Sequence, residues 1–144
     1  MTLVSKGVFN SSTDFGFLVS PLEQPGTGTP GYWKNHPEAW PVESITVGGT
    51  EYTKAQAIAW LDKPGKDKTL TLFSSLVAAK LSVLVGNDST CVASTITAAD
   101  EWMQVSGPVG SGVHAASLAW KLGEPLHRLM DNYNNGMLCA PHRE

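Results

Sequence analysis

The side chains that could carry chemistry in this sequence are scattered, and none stands in a local metal-binding or catalytic motif. The histidines are His36, His114, His127 and His142, and none belongs to a short-range zinc motif. A metal site would need distant segments, and the best-suited set is His36 and Glu38 with His142 from the C-terminal tail. Because isolated histidines more often cap, hydrogen-bond or lie exposed, we expect no metal and no other cofactor.

Nucleophilic and acid–base chemistry also lacks an assembled motif. No serine lies in a Gly-x-Ser-x-Gly or Ser-x-x-Lys context, and Ser111, between two glycines, is typical of a flexible connection. Asp100 and Glu101 are adjacent on a predicted helix, so they point about 100 degrees apart and cannot form a facing acid/base pair. His127, beside Arg128, is predicted to lie on a solvated face. The sequence therefore favours a protein that is not an enzyme, with a hydrolase as the alternative.

Residues 31–41, which we call the aromatic hub, read GYWKNHPEAWP and contain Tyr32, Trp33 and Trp40. Each of these aromatic side chains can bury roughly 150–250 Å², which predicts that the hub is pinned to the domain. Pro37 and Pro41 restrict the backbone, so we expect an irregular loop with one short turn over residues 37–40. The hub is therefore predicted to be a structural centre.

The five tryptophans also suggest sugar binding, because exposed aromatic faces stack on pyranose rings. Trp60, Trp102 and Trp120 fall on or beside predicted apolar helix faces and are expected in the core. Only Trp33 and Trp40 remain as candidate sugar platforms, and we favour structural anchoring for both.

The hub and several later blocks resemble a domain of secreted and surface-associated bacterial proteins. The matching blocks, in order, are GYWKNHPEAWPV, ITVGG, VAAKL, STITAADEWM, DNYNNG and CAPHRE, within residues 29–144. Members of that family often carry a Cys just before the GYWK block, where this chain has Gly28 and Thr29. The resemblance implies an extracellular or cell-surface location and no particular activity.

Cys91 and Cys139 are the only cysteines. The even count, the low charge and the resemblance to secreted proteins favour a disulfide between them, which would stabilise the fold by about 4 kcal/mol in the chain-entropy estimate. The alternative is two small buried thiols in a reducing compartment.

Composition limits the partners. The 144 residues are enough for one domain with its own core, and a net charge of −3 with 16% charged residues provides no basic surface for nucleic acid. No run is apolar for long enough to span a bilayer. Residues 1–20 lack the pattern of a signal peptide, so we expect an exported chain to be the mature form or to leave by another route.

Apolar spacing predicts a mainly α fold: a compact bundle of four to five helices with a small β-hairpin. The hairpin is expected around Gly48-Gly49. The expected helices begin with a capping box at Thr53 and continue over residues 70–85, from about residue 92, over 113–122, and beyond a kink or break at Gly123-Glu-Pro125. Asp88, Ser89 and Thr90 are predicted to cap the third of these.

Residues 1–20 are predicted to form a β arm, residues 21–30 a Pro/Gly linker, and residues 31–144 the helical core domain. In the arm, Phe9 lies in the first half, which is β-prone but poorly patterned. In the second half, Phe15, Phe17 and Val19 recur at every second residue along one face. An unpaired strand on a linker can add to the sheet edge of a neighbour. We therefore expect a non-enzymatic extracellular structural or surface module that forms an oligomer or fibre through this arm, with a cell-surface component or glycan as further possible partners. The alternative is a secreted carbohydrate-binding or metal-dependent hydrolytic domain centred on the hub.

Overall fold

The computed structural model describes residues 24–63 and 65–143. These residues form five helices and one antiparallel hairpin, which confirms the mainly α class. In chain order the elements are α1 (Pro30–Asn35), a 3-10 turn (Pro37–Ala39), β1 (Ser44–Val47), β2 (Thr50–Thr53), α2 (Lys54–Leu61), α3 (Lys68–Leu84), α4 (Ala93–Ser106) and α5 (Leu118–Asn134). The predicted arm, with Phe9, Phe15, Phe17 and Val19, lies outside the described residues.

Helix α3 is the centre of the core and packs against α2, α4 and α5. Its apolar stripe is buried, as predicted, over Leu72, Phe73, Leu76, Val77 and Leu81. A second face of small residues is also buried, and such a face lets α5 approach closely. Leu84 differs from the prediction: it is 52% exposed, because it is the last residue of the helix.

The hairpin and the start of α2 follow local rules. Gly48 and Gly49 have φ values of 58° and 82°, the left-handed region that a two-residue hairpin turn requires. In the strand register Val47 pairs with Thr50. The predicted capping box is complete, because the Thr53 hydroxyl accepts from the Gln56 amide at 3.2 Å and the Gln56 side chain accepts from the Thr53 amide at 2.9 Å.

Helix α4 begins without the side-chain cap that the sequence suggested. Its N-cap is Val92, which provides no capping side chain. The Asp88 carboxylate instead accepts from the Thr90 amide at 2.9 Å and the Thr90 hydroxyl at 2.8 Å, closing a local turn before the helix. The residues that were predicted to cap α4 therefore form this turn instead.

The predicted helix over residues 113–122 is wrong in its start, and the predicted break is absent. A single helix, α5, begins at Leu118 and continues through Pro125. Val113 cannot join it, because its amide donates to Asp67 Oδ1 at 2.9 Å and its carbonyl accepts from the Lys68 amide at 2.9 Å. Pro125 is on the exposed side of α5, where water can satisfy the carbonyl that loses its partner.

The described part of the predicted linker is bound to the domain. Thr27 is fully buried and pairs in parallel with His142 of the tail. The Thr27 amide donates to the Pro141 carbonyl at 2.7 Å, and the Arg143 amide donates to the Thr27 carbonyl at 3.0 Å. Residues 24–30 thus differ from the expected patternless linker, because the tail supplies their backbone partners; residues 21–23 lie outside the described residues.

Candidate functional site

The aromatic hub begins with a helix where a loop was expected. The Thr29 hydroxyl accepts from the Tyr32 amide at 3.2 Å, and Pro30 occupies the first turn, so two helix-start signals just before the hub nucleate α1. Pro37 ends α1 and begins the 3-10 turn. The short turn predicted around Pro37 is thereby present.

Trp33 and Trp40 are buried, with exposed fractions of 0% and 6%. The Trp33 indole N–H donates to the Gly28 carbonyl at 3.1 Å, and the Trp40 indole N–H donates to the Trp33 carbonyl at 2.8 Å. Trp102 and Trp120 are buried as well, whereas Trp60 is partly exposed. Neither hub tryptophan offers a free ring face on which a sugar could stack.

Tyr32 is partly exposed, unlike the two buried tryptophans of the hub. Its ring stacks on His36 with centroids 4.5 Å apart and meets Trp33 edge-on at 5.0 Å. The Arg143 guanidinium lies over the Tyr32 and Trp33 rings and donates from Nη1 to the Tyr32 hydroxyl at 2.9 Å. The C-terminal tail therefore docks on the hub, and Arg143 makes these contacts.

The three residues proposed as a metal set do not form a ligand cluster. His36 Nδ1 lies 3.0 Å from Glu38 Oε2, whereas His142 Nδ1 lies 3.1 Å from the Asn134 carbonyl oxygen. The pKa of Glu38 is lowered, first by a hydrogen bond from its own amide and then by His36. Across residues 24–63 and 65–143, no group of three or more His, Cys, Asp or Glu side chains is placed to hold a metal ion.

A shallow cleft of about 460 Å³ opens beside Tyr32. It is lined by Thr29, Gly31, Tyr32, Asn35 and His36. Chemically it offers one aromatic ring, an amide and an imidazole, and the Thr29 hydroxyl is committed to capping α1. This lining suits weak polar contact, and it lacks the nucleophile with a neighbouring base that covalent catalysis requires.

A contact between a buried serine and a partly buried histidine was missed by the sequence interpretation. His127 was expected on a solvated face, but its Nδ1 lies 3.0 Å from the hydroxyl of Ser75, which is 1% exposed. The Ser75 hydroxyl also lies 3.1 Å from the Leu72 carbonyl; when it donates there, His127 Nδ1 is the donor in the pair. A base that activates serine needs the opposite arrangement, and burial keeps substrates away.

Burial also lowers the pKa of His127, and the nearby Asp131 only partly opposes this effect. The inward position has a sequence signal: His127 follows the buried Trp120 by seven residues, which places both on the same side of α5.

A second candidate surface runs along the outer edge of β1. An apolar groove of about 350 Å³ is lined by Ser44, Ile45, Thr46, Lys80, Val83, Leu84 and Ile96. Because Val47 and Thr50 flank the two-residue turn, the backbone groups of Thr46 face away from β2. The Lys80 ammonium reaches this edge, donating to the Thr46 carbonyl at 2.6 Å and pairing with Asp100 Oδ2 at 2.7 Å.

Cys91 and Cys139 form the predicted disulfide, with Cα atoms 5.9 Å apart. None of the helices in the described part of the chain has the length and apolarity to cross a bilayer. No family model, curated protein or solved structure matches this chain. The resemblance to secreted bacterial domains therefore stays a prediction from the motifs.

Proposed function

We propose that this protein is a non-enzymatic extracellular structural module, and that copies assemble when residues 1–20 of one copy bind a neighbouring copy. The observation that carries this proposal is the apolar groove beside the outer edge of β1, where an added strand would take the Thr46 carbonyl from Lys80. A strand edge beside an apolar groove is the kind of surface to which an added β-strand binds.

The groove and the arm have matching chemistry. Val83, Leu84 and Ile96 give the groove apolar walls, and Leu84 is half exposed. In the arm, Phe15, Phe17 and Val19 alternate along one face of an extended segment, so all three side chains can face the same surface. Burial of one large apolar side chain contributes about 1.5–3 kcal/mol, so these three would offset much of the entropy cost of association.

The position of the chain at Gln24 supports this arrangement. The Gln24 side chain accepts from the Asp88 amide at 2.8 Å, four residues after Leu84 at the end of α3. An extended segment spans about 3.3 Å per residue, so the residues from Phe15 to Gln24 reach up to about 30 Å. That reach is enough for the arm to leave its own domain.

The Cys91–Cys139 disulfide supports an oxidising, extracellular setting. The alternative of a carbohydrate-binding or metal-dependent hydrolytic domain at the hub has less support, because Trp33 and Trp40 are buried and His142 hydrogen-bonds elsewhere. The hub serves instead as the internal anchor of a structural module.

Deletion of residues 1–20 tests the proposal. We expect the full-length protein to form large oligomers or fibres, and the shortened protein to stay folded and lose them, as measured by sedimentation velocity and electron microscopy. Phe17→Asp in the arm and Leu84→Asp in the groove should have the same effect.

Val105→Asp is the matched control, because Val105 is 85% exposed on α4 and outside the groove. A full-length protein that is monomeric at high concentration would exclude the proposal, and so would assembly unaffected by the deletion.

A further inference from the structure

Helix α5 carries an exposed apolar row on the side away from the core. Leu118, Leu122, Pro125 and Leu129 follow one another at intervals of four, three and four residues, which places them on one face. Leu118 is 78%, Leu122 73% and Leu129 36% exposed. The opposite side of α5 packs on α3 and α4, so this row faces outward. Apolar rows of this kind are typical of interaction surfaces.

We propose that the α5 row pairs with the same row of a second copy, the two helices lying antiparallel about a two-fold axis near residues 125 and 126. This contact does not depend on the arm proposed above. A two-fold interface must be self-complementary: if residue i of one copy meets residue j of the other, j must also meet i.

The apolar row meets that requirement. Leu122 and Leu129 are equally distant in sequence from the point between residues 125 and 126. In an antiparallel pair each therefore lies opposite the other residue in the second copy, and Pro125 lies at the centre.

The charges beside the row are centred within about half a residue of the same point. Glu124 and Arg128 each lie two residues from position 126, and Lys121 and Asp131 each lie five residues from it. All four are on one flank of α5, and an antiparallel two-fold pair brings a flank against its own copy. Each acidic position then faces a basic position in the second copy. Glu124 and Arg128 already pair within the helix at 3.3 Å and keep exposed side chains that can bridge to a second copy.

The surface also has a recess for the most exposed side chain of the row. A cleft of about 320 Å³ beside α5 is lined in part by Leu129, Asn132 and Leu138. With the axis between residues 125 and 126, Leu118 of the second copy falls opposite residue 133. The Leu118 side chain is then next to this cleft and can insert into it, as in knobs-into-holes packing.

Charge exchange tests the pairing. Full-length protein carrying Phe17→Asp, which removes the proposed arm contact, serves as the background, and sedimentation velocity gives the dimer dissociation constant. We expect Glu124→Arg and Arg128→Glu each to weaken dimerisation about tenfold or more, because like charges then face each other twice. An equal mixture of the two single variants should form mixed dimers, and the double variant should dimerise like the background.

The mixture separates this contact from the ion pair within one helix, because two different chains can restore each other only across an interface. Leu122→Asp should also abolish the dimer, while Val105→Asp on α4 should leave it intact. A monomeric background, or single variants that do not recover when mixed, would overturn the two-fold pairing. The arm proposal fails separately, if wild-type protein forms dimers and nothing larger.

Discussion

At the scale of single residues, Trp40 shows how the hub is anchored. It is 6% exposed, and its indole N–H donates to the Trp33 carbonyl. Trp40→Ala removes a large buried side chain, so the free energy of unfolding should fall by about 3–5 kcal/mol. Chemical denaturation monitored by circular dichroism measures this change.

The comparison variant for Trp40 is Trp40→Phe, which keeps most of the apolar volume and loses the hydrogen bond. Its loss should be near 1 kcal/mol. Unchanged stability in Trp40→Ala would show that Trp40 is not an anchor, and loss of glycan binding in that variant would favour the sugar-platform alternative.

Asp67 links the start of α3 to the loop before α5. Its carboxylate accepts from the amides of Thr69, Gly112 and Val113, each at 2.9 Å. Burial alone would raise the pKa of Asp67, but these hydrogen bonds and one from the Thr69 hydroxyl outweigh it, so the pKa lies below its usual 3.8. The ionised carboxylate is therefore the form that the folded state favours.

Acid should weaken this link. Because the folded-state pKa of Asp67 is lowered, its contribution to stability is fully present above about pH 4 and is lost as the pH falls through the folded-state value. Asp67→Asn should reduce stability at pH 7 by about 1–3 kcal/mol, since an amide replaces one accepting oxygen. The variant should also lose less stability than the wild type between pH 5 and pH 2. Equal acid sensitivity in both proteins, measured by urea denaturation across this range, would contradict the assignment.

At the scale of elements, the disulfide ties the tail to the start of α4. Cys91 and Cys139 are 48 residues apart, and closing a loop of that length contributes about 4 kcal/mol in the chain-entropy estimate. Denatured, non-reduced protein should contain no free thiol in a colorimetric assay.

The double variant Cys91→Ser with Cys139→Ser should unfold at a lower denaturant concentration by a corresponding amount. Reduced wild type is the control, and it should match the double variant. Two free thiols in the native protein would refute the bond.

Helix α5 continues through Gly123, and the reason is a contact with the neighbouring helix α4. Gly123 was expected to mark a break, but it allows close packing instead: a Cβ at this position would lie 2.8 Å from the Trp102 ring. The Trp102 indole N–H donates to the Ala119 carbonyl at 2.7 Å, which fixes the ring across the helix. A glycine that weakens an isolated helix thus serves the contact between α4 and α5.

At the scale of the whole molecule, the two proposed contacts use different surfaces. The arm contact involves β1, α3 and α4, whereas the two-fold contact involves the outer face of α5. An arm that binds the next copy head to tail adds subunits in a row when the rotation between copies does not close a ring, and a two-fold contact would join two such rows in opposite directions. Together they would build a paired, antiparallel filament.

The features that depend on short-range rules could be predicted from the residues alone. Gly48-Gly49 identifies the hairpin because few residues adopt left-handed backbone angles, and Thr53 with Gln56 identifies a helix start because the two groups satisfy each other. The apolar spacing of α3 and its end before Gly86 are of the same kind. In each case the residues that decide the structure are adjacent or one turn apart.

Other features depend on contacts between distant residues that override local preference. Val113 stays out of α5 because Asp67, forty-six residues away in sequence, takes its amide. His127 turns inward because Ser75 of α3 offers a buried hydroxyl. Thr27 is buried because the tail returns to pair with it. The two partners of each contact are far apart along the chain, so the residues around one do not identify the other, and the hydrogen bonds and burial outweigh the small free energies of local propensity.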